Sequence, residues 1–579
     1  MMRHPLLTFT ALSCMLLSSC AEGKPDSADV IVLYTTDTHG ACLPFDFKKN
    51  EPAKTSLANV YSYVKQEREN NSDRIILLDA GDFLQGQPSI YYYNFVDTLS
   101  QHVAARIYNF MGYDAVGMGN HDVEPGESVY TRMPKELNMP LLCANAIDTR
   151  TGKPMFQPYT IVKRQGIKIA ILGMITPHIH AWLPKSLWPH LEFEDMVECA
   201  KTWIPVIQEK ENPDFLIGLF HSGGDYTYNN QDEDTPFNEN GGVPAAIKVP
   251  GFDLVLLGHD HNTRDFNVLN VAGDSVRCID ANTQARLIGR ADIHFEKQDN
   301  GTYKKSISTQ MIESAQYEAE PTFCSEFQSD IDTVNAYVDA PIGELTAELD
   351  GINGLYGPCP FMDLIHNAQL WATKADVSMA SVLSPYDKIP AGQLTMRNLF
   401  TIYKYENQLF TLRMTGADIL KYLEFGFANQ FATVKTAEDP LIKRDEKGKP
   451  AVSTFNYTSA AGIKYVVDIS KPEGSRVKIL SMSDGSAFEI EKEYKVAVNS
   501  YQASGGGNFI PVGLGWDQAT LNAHTIDTTP VDVRRYVASY IREHGTITPA
   551  LRGDWQIVPT QLWEKVKSKE IETSDRSFR

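Results

Sequence analysis

Residues 115–122 read Ala115-Val116-Gly117-Met118-Gly119-Asn120-His121-Asp122. The first four are small or apolar and predict a buried strand. An amide, an imidazole and a carboxylate follow at once. Open α/β sheets present their chemistry in this way, at the carboxyl ends of strands. The arrangement recurs along the chain. Val30 to Thr36 is β-branched and apolar and ends in Asp37-Thr38-His39-Gly40. Arg74 to Leu78 ends in Asp79-Ala80-Gly81-Asp82, Phe215 to Phe220 in His221, and Leu254 to Leu257 in Gly258-His259-Asp260-His261. Helical patterns over 54–69, 97–111 and 194–209 separate these strands, with a further strand from Lys168 to Met174 ending near Pro177. Strands 286–312 close the unit. Such alternation predicts a layered α/β domain.

Five strand ends therefore carry Asp37 and His39, Asp82, Asn120 and His121, His221, and His259 and His261. One histidine after a strand means little. The joint pattern points to a centre holding two divalent metal ions, because these side chains suit borderline or hard cations. Two ions about 3.5–4 Å apart can clamp the attacking and departing oxygens of a phosphoryl group and acidify a water between them. Asp82 is placed to bridge. Imidazoles and an amide fill the other positions without cancelling the positive charge. Composition agrees: 579 residues, 42% hydrophobic and 22% charged, suit a soluble multidomain protein. The net charge of -20 speaks against duplex nucleic acid as a partner. An acidic chain that handles phosphate must supply positive charge locally, as metal ions do.

The motifs D-x-H, G-D, G-N-H-D/E, H and G-H-x-H, in this order, resemble the calcineurin-like metallophosphoesterases. The resemblance implies a four-layer β-sandwich flanked by helices. It implies one metal on Asp37, His39, Asp82 and His261, and another on Asp82, Asn120, His221 and His259. His121 would face the leaving oxygen, stabilising or protonating it. In the 5'-nucleotidase branch an Asp four residues after the Asn orients that histidine; this chain has Glu124 there. Asp122 is expected to support the structure. Zn, Mn, Fe, Mg and Ca all remain open, with imidazole content favouring transition metals. His178 and His180 also follow a strand, but the motif order does not require them, and they are expected to be loop or core residues.

Residues 313–345 are acidic, with helical spacing from Phe327 to Val338, and read as a linker helix. Beyond it come Ile389-Pro390-Ala391-Gly392, Met414-Thr415-Gly416-Ala417 and Asn499-Ser500-Tyr501-Gln502-Ala503-Ser504, and on these the chain to about residue 560 resembles the C-terminal domain of secreted nucleotidases, an α/β nucleotide-binding domain. The resemblance implies that Tyr405 and Tyr501 sandwich the base, with Asn407 and Gly505, Gly506 and Gly507 beside the substrate. One departure bears on specificity. The Asn-Gly-Gly-Gly-x-Arg run of 5'-nucleotidases is replaced by Ser381-Val382-Leu383-Ser384-Pro385-Tyr386. Ala368-Gln369-Leu370-Trp371, Phe455-Asn456-Tyr457 and Val249-Pro250-Gly251 are similar instead to the 2',3'-cyclic-nucleotide 2'-phosphodiesterase/3'-nucleotidase branch. The expected substrates are cyclic and 3'-nucleotides. A 5'-nucleotidase or nucleotide-sugar hydrolase is the alternative, and an inactive nucleotide-binding lipoprotein a further one.

Residues 1–20 form a targeting segment. Arg3 and His4 precede an apolar run too short to span a bilayer. Leu17-Ser18-Ser19-Cys20 resembles a bacterial lipoprotein signal, which would make lipid on Cys20 the membrane anchor of a periplasmic or cell-surface protein. An ordinary secretory peptide is the other reading. The catalytic domain is expected over 21–312, the second domain over 346–560 and a charged tail over 561–579. Cys42, Cys143, Cys199, Cys278, Cys324 and Cys359 show no metal-binding spacing, and free thiols or one disulfide both fit. Oligomeric state is not legible.

Overall fold

The computed structural model describes residues 24–446 and 448–573. The targeting segment with Cys20, and residues 574–579, lie outside the described residues. The first domain is a helix–sheet–sheet–helix sandwich, as expected. One sheet runs in the order 303–313, 287–297, 27–35, 75–79, 115–117, 141–142, and the other in the order 263–269, 275–281, 254–257, 215–221, 167–175, 159–164. The inner strands are parallel; antiparallel strands close both edges of the second sheet and one edge of the first, whose other edge, 141–142, is parallel.

Strand alternation builds the layers. In Ser27–Thr35, Val30, Val32 and Tyr34 meet Ile169, Ile217 and Leu254 of the other sheet, while Ile31 and Leu33 face outer helices. On the far sheet, Leu172, Leu216 and Val255 turn outward to Leu57–Asn71's counterpart layer, the helices Met196–Glu211 and Gly242–Lys248. Strands buried on both faces read as unbroken apolar runs, which is why they are easy to find in the sequence. Their carboxyl ends gather at one edge of the sandwich.

Three expectations need adjustment. The helix expected over 97–111 begins only at Val103 and runs to Met111, capped by His102, whose ring accepts from Ala104 N, and a separate helix, Pro88–Phe95, precedes it. The acidic helix exists as Pro321–Val338 but is no bare connector. Phe323, Phe327, Val334 and Val338 join the core of the first domain, and buried Asp330 pairs with Arg106 and accepts from Tyr93. The charged tail is structured as far as Thr573: it forms a helix, Thr560–Thr573, in which Val566 is buried and Glu570 accepts from Leu441 N and Ile442 N. The six cysteines named above are all free thiols, and five are buried.

The second domain centres on a five-stranded sheet in the order 458–461, 377–381, 493–499, 408–415, 525–532. Helices Pro360–Thr373, Gly416–Gln430 and Val533–His544 flank it. It is fastened to the first domain by polar and aromatic contacts. Tyr91 donates to Asp532 at 2.8 Å, Arg397 donates to the Phe47 carbonyl, and the Arg534 guanidinium lies over Tyr91 and Phe400. This docking brings Lys404 and Tyr405 up to the strand-end edge of the sandwich. Among the described residues no helix is long and apolar enough to cross a membrane.

Candidate metal centre

The strand ends expected to carry ligands converge. His39 Nε2 and His261 Nε2 stand 2.9 Å apart, and His261 Nε2 is 3.3 Å from Asp37 Oδ1. His221 Nε2 is 3.1 Å from Asp82 Oδ2 and 3.1 Å from Asn120 Oδ1, which in turn is 2.9 Å from His259 Nδ1. Asp82 Oδ2 also lies 3.8 Å from His39 Nε2, so it spans both halves. Two sets of donor atoms are close enough to share an ion: Asp37, His39 and His261, and Asp37, Asp82 and His221.

The donor set fits divalent cations on a further observation. Three of the four histidines have their outer nitrogen facing a protein acceptor. His39 Nδ1 meets Gln85 Oε1 at 3.0 Å, His221 Nδ1 meets the Ala80 carbonyl at 3.0 Å, and His259 Nε2 meets Glu239 Oε1 at 3.2 Å. A proton on each outer nitrogen turns the lone pair of the other nitrogen inward, as ligating imidazoles require. Glu239 lies in a polar loop and has no sequence signal that singles it out. Burial pushes the Asp37 carboxyl up, but His221 and His261 beside it hold it down at about 2. Burial likewise opposes ionisation of Asp82, and His221 and His121 outweigh it, holding it well below the carboxylate range.

The backbone is unusual here. Asp37, His39, Asp82, His259 and His261 all have positive φ, between 44° and 84°. Such conformations cost about 1–3 kcal/mol each for residues other than glycine and cluster at functional sites. The motif glycines have a steric reason. A Cβ on Gly119 would lie 2.1 Å from Asp82 Oδ1, and one on Gly258 2.6 Å from Asp37 Oδ2. Asp122 has the supporting role expected of it. Its carboxylate accepts from the backbone amides of Asp82, Phe83, Leu84 and Gly119 at 2.8–2.9 Å, which pins the Asp82 loop to the Asn120 loop.

His121 stands beside this cluster, its ring 5.2 Å from that of His39. Its Nδ1 meets Glu124 Oε2 at 2.5 Å, so glutamate reaches the histidine that aspartate orients in the 5'-nucleotidase branch. Burial would depress His121, but Glu124 and Asp82 raise it to about 10. His178 and His180 sit in a short helical turn, Pro177–Ala181, outside both donor sets. His178 contacts Trp182, whose ring lies 5.2 Å from that of His259.

In the second domain Tyr405 and Tyr501 do not stand alone. Phe455 meets both edge-on, at 6.4 and 5.8 Å between ring centres, and completes an aromatic box that sequence pattern did not reveal. Asn407 is buried, with its amide engaged by Tyr403 and Ser500. Gly506 packs against the Tyr501 ring, 2.5 Å from where a Cβ would be, and a Cβ on Gly507 would meet Asn456. Gly505, at φ 112°, faces the Ala181 carbonyl across the domain junction.

Comparison with known proteins agrees with this geometry. Residues 31–263 match the family described as Calcineurin-like phosphoesterase, and residues 341–512 the 5'-nucleotidase, C-terminal domain. The chain is 24% identical over 632 residues to the 2',3'-cyclic-nucleotide 2'-phosphodiesterase/3'-nucleotidase of Yersinia enterocolitica, covering 96% of this chain and 92% of that protein. It is 25% identical over 598 residues to the Trifunctional nucleotide phosphoesterase protein YfkN of Bacillus subtilis, covering 93% of this chain but 39% of that longer protein. A Staphylococcus aureus protein solved in complex with alpha-ketoglutarate has the same fold, with a TM-score of 0.75 at 20% identity over 92% of this chain and all of that one. Calcineurin-like phosphoesterases are metal-dependent hydrolases that bind two divalent ions.

Proposed function

We propose that this chain, which joins a calcineurin-like phosphoesterase domain to a 5'-nucleotidase C-terminal domain, hydrolyses nucleotide phosphoesters outside the cytoplasm, with 2',3'-cyclic nucleotides and 3'-nucleotides as its substrates. The observation that carries the reading is the meeting of Asp37, His39, Asp82, Asn120, His221, His259 and His261 beside a histidine–glutamate pair. Two divalent ions held there supply charge neutralisation for the phosphoryl group and acidify water.

The residues of the chain do the rest. Glu124 takes the Nδ1 side of His121, which leaves Nε2 toward the cavity to donate a proton to the departing oxygen. Asp122 keeps the Asp82 loop in register. Tyr405, Tyr501 and Phe455 offer flat faces and an edge to a base, at about 1–3 kcal/mol per stacked base. The branch assignment rests on the sequence, in which residues 381–386 lack the arginine run of 5'-nucleotidases. Placement outside the cytoplasm, and lipid on Cys20, rest on residues 1–20.

Turnover of 2',3'-cyclic AMP, 3'-AMP and 5'-AMP by the Mn- or Zn-supplemented protein tests this. The cyclic and 3' esters should dominate. Dominant hydrolysis of 5'-AMP would make the chain a 5'-nucleotidase. A metal-loaded sample inert toward all three and toward an aryl phosphate would leave only a binding role. Labelling with a radioactive fatty acid, lost in Cys20→Ala, tests the anchor.

A further inference from the structure

The cleft does not end at the strand-end histidines. From His39, His121 and His261 it opens into a cavity of about 810 Å³ that passes residues 41–55 of the first domain and reaches Lys404 and Tyr405 of the second. That is toward the upper end of the ~300–1,000 Å³ range of small-molecule sites, and more than a nucleoside monophosphate needs.

The wall of this cavity is cationic on a strongly acidic protein. Lys48, Lys49, Lys54, Arg286 and Lys404 line it against Asp46, Glu51 and Glu313, while the whole chain carries -20. Lys49 is 3.8 Å from Asp46, and Lys404 is 3.2 Å from Asp387. Among the described residues Lys48, Lys54 and Arg286 form no ion pair, and Arg286 only donates to Gln284 at 2.8 Å. Lys48 is the telling case, because it is half-buried rather than on a solvated rim. Burial, with Arg534 and Lys404 nearby and only Asp46 and Glu406 opposing them, lowers its ammonium to about 8. Like charges crowded into a concave wall raise the local concentration of anions, and their mutual repulsion is relieved when an anion enters.

We infer that this cavity is a second phosphate subsite, built for a nucleotide that carries another phosphate besides the one hydrolysed, such as a nucleoside 3',5'-bisphosphate. The inference rests on the nucleotide reading above. The 3' ester sits at the strand-end ligands, the base lies against Tyr405, and the 5'-phosphate lies among Lys48, Lys54 and Arg286. Water cleaves the 3' P–O bond, the proton goes to the leaving 3' oxygen, and the products are nucleoside 5'-monophosphate and inorganic phosphate.

The test compares kcat/KM for adenosine 3',5'-bisphosphate and 3'-AMP, at low and high NaCl, in the Mn-supplemented protein and in Lys48→Met/Lys54→Met/Arg286→Met. Wild type should favour the bisphosphate by about 10-fold at low salt, a margin that shrinks as salt screens the wall. The triple variant should lose that preference and turn over 3'-AMP within about 2-fold of wild type. Arg286→Met alone, at an exposed position, should reduce the preference partway and guards against a folding failure of the triple variant. Turnover of 3'-AMP without any bisphosphate preference, or a preference that survives the triple substitution, overturns the subsite alone. Absence of turnover of 3'-AMP together with 2',3'-cyclic AMP overturns the nucleotide reading and the subsite with it.

Discussion

Asp122→Asn is the sharpest probe of how the centre is held. Oδ1 of Asp122 accepts from Phe83 N and Leu84 N, and Oδ2 accepts from Asp82 N and Gly119 N. Asparagine keeps one oxygen and turns an NH2 group toward two of those donors. Two hydrogen bonds to a charged acceptor are lost, at about 1.5–3 kcal/mol each, or roughly 3–6 kcal/mol together. One effect opposes this. Burial and then the Asp82 charge raise Asp122 to about 7, and removing the carboxylate relieves that repulsion. The lower end, about 3 kcal/mol, is therefore expected, still within the range of a broken buried network. Urea unfolding followed by tryptophan fluorescence should show the first transition shifted by that amount. Metal content after dialysis should also fall, because the Asp82 loop has lost its pin. A shift below about 0.5 kcal/mol, with wild-type metal stoichiometry, would refute the idea that this carboxylate organises the loop.

Other outcomes follow from the same structure. His121→Asn should lower kcat by about 10²–10⁴-fold with little change in metal content, and Glu124→Gln by less; pre-steady-state turnover and elemental analysis check both. Phe455→Ala should raise KM for 3'-AMP by the equivalent of about 1–3 kcal/mol and leave hydrolysis of a small aryl phosphodiester unaltered, which initial-rate kinetics can distinguish. Treatment with a chelator should abolish activity and lower the melting temperature, both restored by Mn or Zn, since ligands that bind only the folded state stabilise it. Burial lowers His366 from 6.5 to about 3, so between those values the unfolded chain binds a proton that the folded chain does not. Stability contributed by this group is complete above about pH 6.5 and is lost as pH falls, at up to about 1.4 kcal/mol per unit. His366→Asn should flatten the acid limb of the stability profile measured by denaturant titration.

What the sequence revealed here, and what it hid, divides along physical lines. Strands such as Ser27–Thr35 and Phe215–His221 are buried on both faces, so their composition alone announces them, and the ligands follow immediately in the chain. The candidate ligand side chains were legible because each is local to a strand end. Contacts between distant segments were not. Phe455 completes the aromatic box from a loop far from both tyrosines, and Glu239 reaches His259 from a loop that reads only as polar. Helix Pro321–Val338 was visible as a helix, but its acidic face hid that its apolar face joins the first domain. The internal contacts of Asn407 with Tyr403 and of Gly506 with the Tyr501 ring were also not legible.

The left-handed backbone at Asp37, His39, Asp82, His259 and His261 has a bearing on engineering. At each of these positions glycine would relax the main chain while deleting a donor atom. Selection of variants for heat resistance alone would therefore drift toward a sturdier, inert protein. Any campaign to toughen this chain must freeze those five codons before it begins.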